Sequence, residues 1–108
     1  MPLFRRKRKT IDKAAWAEAV FEKPAKNPEA LSDKELHAMT DLMLYQDYRI
    51  IMESVQIIRD TNNPDTRQGR IDLCRKHYTQ LMKLEPFADD KQRAVIQQCE
   101  QVLKGIGL

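Results

Sequence analysis

Residues 32–60 read SDKELHAMTDLMLYQDYRIIMESVQIIRD, and this stretch decides the fold. Ser32 and Glu35 have the Ser-x-x-Glu spacing of a capping box, and Leu31 and Leu36 take the flanking positions of a hydrophobic staple. From Asp33 to Asp60 neither Pro nor Gly interrupts the run. Leu36, Met43, Ile50 and Ile57 recur every seven residues, while Leu44, Tyr48, Ile51, Val55 and Ile58 alternate steps of four and three beside them. Gln46, Arg49, Glu53, Gln56 and Asp60 follow the same steps on the polar side. The pattern predicts one amphipathic helix of 28 residues, about 42 Å long at a rise of 1.5 Å per residue. Its apolar face is wider than two shorter helices cover, so Leu44, Tyr48, Ile51, Val55 and Ile58 are the expected face for a partner helix, whether from this chain, a second copy or another protein.

Working outward, Thr61-Asn62-Asn63-Pro64-Asp65-Thr66 breaks the periodicity, with Asn63 placed to cap a helix whose first residue is Pro64. That helix carries Ile71, Cys74, Tyr78 and Leu81 on one stripe and stops at Pro86. Asp89 and Gln92 form a second capping-box pattern, opening a last helix through Val95, Cys99 and Val102 with Gly105 as its left-handed cap. A turn centred near Phe87 makes these two helices an antiparallel hairpin in which partners have numbers summing to about 173. Ile71 then meets Val102, Cys74 meets Cys99, and Tyr78 meets Val95. On the other side, residues 11–22 read as a short helix with Trp16 and Val20 four apart, and residues 23–31 hold Pro24 and Pro28 in a linker that lets it move. The expectation is an all-α protein: a long central helix packed with a C-terminal antiparallel helical hairpin, plus a short mobile N-terminal helix. Residues 1–10 form a polybasic arm, 11–31 the short helix and linker, and 32–108 the helical core.

Composition narrows the function classes. At 108 residues, 42% hydrophobic and 32% charged, the chain supports one modest core, and no run approaches the roughly 20 apolar residues that span a bilayer. Its three glycines, at 69, 105 and 107, build no phosphate-cradling loop. The formal charge is +3, but Arg5, Arg6, Lys7, Arg8 and Lys9 are consecutive, and removing them leaves 14 basic against 16 acidic residues, a net −2. The basicity therefore sits on an arm, whose five charges attract phosphate on nucleic acid or on anionic lipid. Leu3 and Phe4 before it and Trp16 after it add the apolar groups of an interfacial segment, which makes a membrane surface a further partner class. Asp12, Lys13 and Glu18 interrupt any signal-peptide apolar stretch, so a cytoplasmic location with reduced cysteines is expected.

Catalysis finds few parts. His37 and His77 fall on different helices, and Ser32 and Ser54 are the only serines, the first already explained as a cap. Cys74, His77 and Cys99 are the beginning of a zinc set, but a fourth ligand and a Cys-x2-Cys pair are both lacking. The cysteines read as buried free thiols, with a disulfide as the alternative. No enzyme activity, metal, cofactor or small-molecule substrate is expected. Arg67, Arg70 and Arg75 form a basic cluster on the third helix, readable as a nucleic-acid docking face or as the complement of the long helix, which carries six acids against three bases.

The turn Thr61-Asn62-Asn63-Pro64-Asp65-Thr66, followed by Arg70-Ile71-Asp72-Leu73, resembles a turn-and-helix signature of small uncharacterised helical proteins of Gram-positive bacteria and mobile elements. The resemblance covers about a tenth of the chain, and Arg67, Gln68 and Gly69 stand where that pattern has two aromatics. It implies a bacterial or phage accessory protein and no activity. The functional expectation is a non-enzymatic helical interaction module with a protein partner or homodimer, tethered to an anionic surface by its arm. The alternative is a small nucleic-acid-binding regulator using the arm and the third helix.

Overall fold

The computed structural model describes residues 12–21 and 30–108. Four α-helices run α1 Lys13–Phe21, α2 Asp33–Asp60, α3 Pro64–Leu84 and α4 Asp90–Gly105, with a 3-10 turn at Glu85–Phe87 before α4. The fold is all-α, with α2 as the long central helix, and its bounds are those the periodicity predicts. Each start is held by a side chain that satisfies backbone N–H groups the first turn leaves open. Ser32 Oγ accepts from the Glu35 N–H at 3.1 Å, although Glu35 returns to the Ser32 hydroxyl rather than to its backbone. Asn63 Oδ1 accepts from Asp65 and Thr66, with Pro64 at the first turn. Asp89 and Gln92 complete a reciprocal capping box at 2.8 and 2.9 Å.

The three-residue link Thr61 to Asn63 folds α3 back along α2, and α2 packs chiefly on α3 and next on α4. The main core gathers Leu44, Ile51, Val55 and Ile58 of α2 with Cys74, Leu81 and Leu84 of α3 and Ile96, Cys99 and Leu103 of α4. A fully buried aliphatic side chain of this kind contributes about 1.5–3 kcal/mol. In the α3–α4 pairing Cys74 and Cys99 are close enough for their charges to interact, as expected, while Glu100 lies beside Tyr78 and Arg93 Nε stands 3.6 Å from Glu85 Oε1. The connection between the two helices is a 3-10 turn, Glu85–Phe87, with Ala88 and Asp89 after it.

The last turn also differs. Gly107, not Gly105, takes the left-handed conformation, at φ +85°. Leu108 N–H bonds to Leu103 O and Gly107 N–H to Lys104 O, a Schellman closure that folds Leu108 back over Leu103. Carrying the helix past Gly105 lets Ile106 and Leu108 both pack on the main core.

The N-terminal helix, expected to move independently, is docked. Asp12 Oδ1 caps it through the Ala15 N–H at 3.1 Å. Trp16, fully buried, forms a second apolar cluster with Ala17 and Leu36, flanked by Val20, Leu31, Met39 and Phe87. Its indole Nε1–H donates to Thr40 Oγ1 at 2.9 Å, and the Thr40 hydroxyl donates on to Leu36 O at 2.7 Å. The prolines at 24 and 28 lie outside the described residues. Thr40→Val keeps the shape but leaves the indole donor unmet, so we expect a loss of about 1–3 kcal/mol in urea unfolding. Combining it with Trp16→Phe should cost less than the two single changes added together; strict additivity would show that the bond does not fasten α1 to α2.

Candidate functional site

The buried edge of α2 runs Thr40, Leu44, Asp47, Ile51, Ser54, Ile58, alternating polar with apolar side chains at steps of four and three. Each polar member is met by a group from elsewhere in the chain. Thr40 holds Trp16. Asp47 Oδ1 lies 2.7 Å from His77 Nδ1, with the two side chains only 5% and 14% exposed. Ser54 Oγ faces Arg70 Nη1 at 3.5 Å and also supports the Cys74 thiol. The residue numbers 47 and 77, and 54 and 70, both sum to 124, so this hairpin turns about Asn62.

Neither Asp47 nor its bond to His77 belongs to the expected site. Burial raises the Asp47 pKa from its ordinary 3.8, outweighing the hydrogen bond and positive charge that His77 offers in return. An ionised carboxylate only accepts, so His77 Nδ1 then carries the shared hydrogen. The arrangement orients an imidazole as a catalytic dyad does, but the neighbouring thiols are tuned away from nucleophilic use. Cys99 is pushed up to about 11 by burial and by the charges of Asp47 and Cys74, and Cys74 is raised chiefly by burial. Both cysteines are free and fully buried, so no disulfide joins them. Among the described residues no three His, Cys, Asp or Glu side chains gather to hold a metal ion, and Cys74, His77 and Cys99 make no such set.

The remaining expected residues scatter. Arg5, Arg6, Lys7, Arg8 and Lys9 lie outside the described residues. Arg67 and Arg70 do not share a free face with Arg75: Arg67 Nη2 donates to Thr61 O at 3.1 Å, bracing the α2–α3 link, and Arg70 turns inward to Ser54. Arg75 is exposed like Arg67, but no hydrogen bond or ion pair is found for its guanidinium among the described residues. Of the alternatives left open for the partner-helix face, the structure takes the neighbour from this chain. Leu44, Ile51, Val55 and Ile58 are buried in the chain's own core and Tyr48 is half-buried, so α3 and α4 already cover that face.

The open surface of α2 lies on its opposite side, along Ala38, Leu42, Tyr45 and Arg49. Leu42 is 72% exposed and Tyr45 49%, one helical turn apart, and the Tyr45 ring stands edge-on to Tyr48 with centroids 6.2 Å apart. No described helix is long and apolar enough to cross a membrane. No family model matches the chain, and comparison with curated proteins and with solved structures gives no match either.

The Asp47 carboxyl supplies a pH signature. Because its folded-state pKa is raised, the folded chain holds this proton more tightly than the unfolded chain. The associated stability is fully present below the unfolded value near 3.8 and is lost as pH rises through the folded value. Asp47→Asn keeps an acceptor for His77 and removes the buried charge. The stability of the variant minus that of the wild type should therefore grow with pH across the carboxylate range, by at most about 1.4 kcal/mol per pH unit, and then level off. Urea unfolding between about pH 3.5 and 7 checks this, and a difference that shrinks with pH would reverse the sign of the argument.

Proposed function

We propose that this chain is a non-enzymatic helical interaction module that receives a partner helix on the outward face of α2, with the basic arm of residues 5–9 tethering it to an anionic surface. The carrying observation is the exposure of Leu42 and Tyr45 at the middle of the longest helix, on a face the core does not use. Single exposed apolar residues are ordinary on a protein surface. Two large ones at helical spacing, followed by Arg49 on the same stripe, form the short row of anchors by which one amphipathic helix seats on another. The arm supplies long-range attraction and α2 supplies contact, so the two can act together on a partner held at a charged surface. A bacterial or mobile-element accessory role belongs to the same proposal.

The second reading, a small nucleic-acid-binding regulator, draws on Arg75 and Lys76, both exposed on the outer side of α3. It needs the arm for most of its phosphate contacts, since Arg67 and Arg70 are engaged within the fold.

A photo-crosslinking residue placed at position 42 tests the module directly in the source cell, with exposed position 80 on α3 as control. We expect a discrete adduct from position 42, at least about tenfold stronger than from position 80 and lost on Tyr45→Lys, a loss of well over 1 kcal/mol. An adduct at twice the chain's mass identifies a second copy, and one at any other mass a different protein. Equal or absent adducts at the two positions would defeat the proposal. For the arm, removal of residues 2–9 should abolish salt-sensitive binding to vesicles containing phosphatidylserine; a steep salt response on duplex DNA with none on vesicles would favour the regulator.

A further inference from the structure

The outward stripe of α2 has the same spacing read from either end. Ala38, Leu42, Tyr45 and Arg49 are all exposed and follow one another at steps of four, three and four residues, which keeps them on one side of the helix. Laid antiparallel on a copy of itself, such a stripe is in register at once: facing residues have numbers summing to 87, and the two-fold axis falls at the level between Met43 and Leu44. Leu42 of each copy then lies on Tyr45 of the other, and Arg49 lies over Ala38 at both ends.

The charges agree with this placement. No hydrogen bond or ion pair is found for the Arg49 guanidinium among the described residues. Ala38 leaves room above it for a long side chain, and Glu35 and Asp41, both exposed, flank it three residues to either side. Glu35 accepts from the Ser32 hydroxyl and Asp41 from the Gln92 amide, neutral donors that leave each carboxylate with lone pairs for a cation. An Arg49 arriving from a second copy is set between these two acids, and the symmetry makes the contact twice. Parallel pairing would instead bring Arg49 onto Arg49, and an unrelated helix would have to carry acidic groups of its own at the matching places.

We propose, resting on the reading of the α2 face given above, that the helix it receives is α2 of a second copy of this chain, crossing antiparallel at Leu42 and Tyr45 with Arg49 of each copy between Glu35 and Asp41 of the other. Two leucines and two tyrosines supply the apolar centre, and the charged contacts close it at either end. An interface of this size is reversible rather than obligate. Its exposed ion pairs choose the direction and register of the crossing more than they add affinity.

Sedimentation equilibrium of the purified full chain should show monomer and dimer exchanging with a Kd between about 10 and 100 μM. Arg49→Glu should weaken the dimer at least about tenfold, and so should the double change Glu35→Lys with Asp41→Lys. An equimolar mixture of these two variants should recover a dimer within about threefold of the wild-type Kd, because the mixed pair has opposite charges at both ends, and recovery also shows that both variants fold. Arg49→Glu mixed with wild type should pair more weakly than wild type with itself, since one end of the crossing is lost. A chain that stays monomeric up to about 1 mM, an unchanged Kd in Arg49→Glu, a mixture of variants that recovers no dimer, or a tighter pair of Arg49→Glu with wild type, as parallel helices would give, would each overturn the pairing. A monomer in solution whose position 42 still forms an adduct of another mass in the source cell removes the second copy and leaves the interaction module standing.

Discussion

A carboxylate buried in the middle of a helix has to be met, and His77 meets Asp47 at 2.7 Å. That requirement sets the register of α2 against α3. Thr40 lies one heptad before Asp47 and Ser54 one heptad after it, each answered by a group from another helix. Sliding α3 along α2 by one turn would bring Asp47 opposite a side chain other than His77 and return Ser54 to an apolar surface. Buried polar groups of this kind cost more when unmatched than they contribute when matched, so they act by penalising the wrong alignment. The apolar members Leu44, Ile51 and Ile58 supply most of the burial without distinguishing one register from another.

Much of this fold is legible in the sequence because its signals are local. Ser32, Asn63 and Asp89 mark three helix starts by side-chain chemistry alone, and the unbroken apolar rows fix the length of α2. What escapes is whatever depends on how one helix lies against another. The connection of α3 to α4 holds a 3-10 turn at Glu85–Phe87 where the sequence reads only as a short turn around Pro86. The first hairpin obeys the simpler rule: reflection about Asn62 pairs Asp47 with His77 and Ser54 with Arg70. Periodicity in apolar residues passes over Thr40, Asp47 and Ser54 because it looks for oil in the core, while the pattern there alternates.

The candidate surfaces show the same division. A stripe of Leu44, Ile51, Val55 and Ile58 says that something packs on α2, and the structure names α3 and α4 as that something. With that face filled, Leu42 and Tyr45 become the informative residues, since they are large, apolar and have no place in the core. The basic cluster on α3 divides likewise into arginines that brace the chain and one that faces outward. Adjacency in sequence groups them, but only the angular position around the helix and the partner opposite decide what each one does.

Trp16 is the chain's single tryptophan, and it is sealed where α1 docks, with its ring edge-on to Phe21 at 5.8 Å. Its emission is therefore a private optical channel from one end of the bundle, whereas far-ultraviolet ellipticity is dominated by the three longer helices. The two signals divide the molecule along the boundary between its two apolar clusters. Followed together during unfolding, they distinguish a chain that melts as one unit from one whose first helix lifts away while the rest stands, without any label having been added.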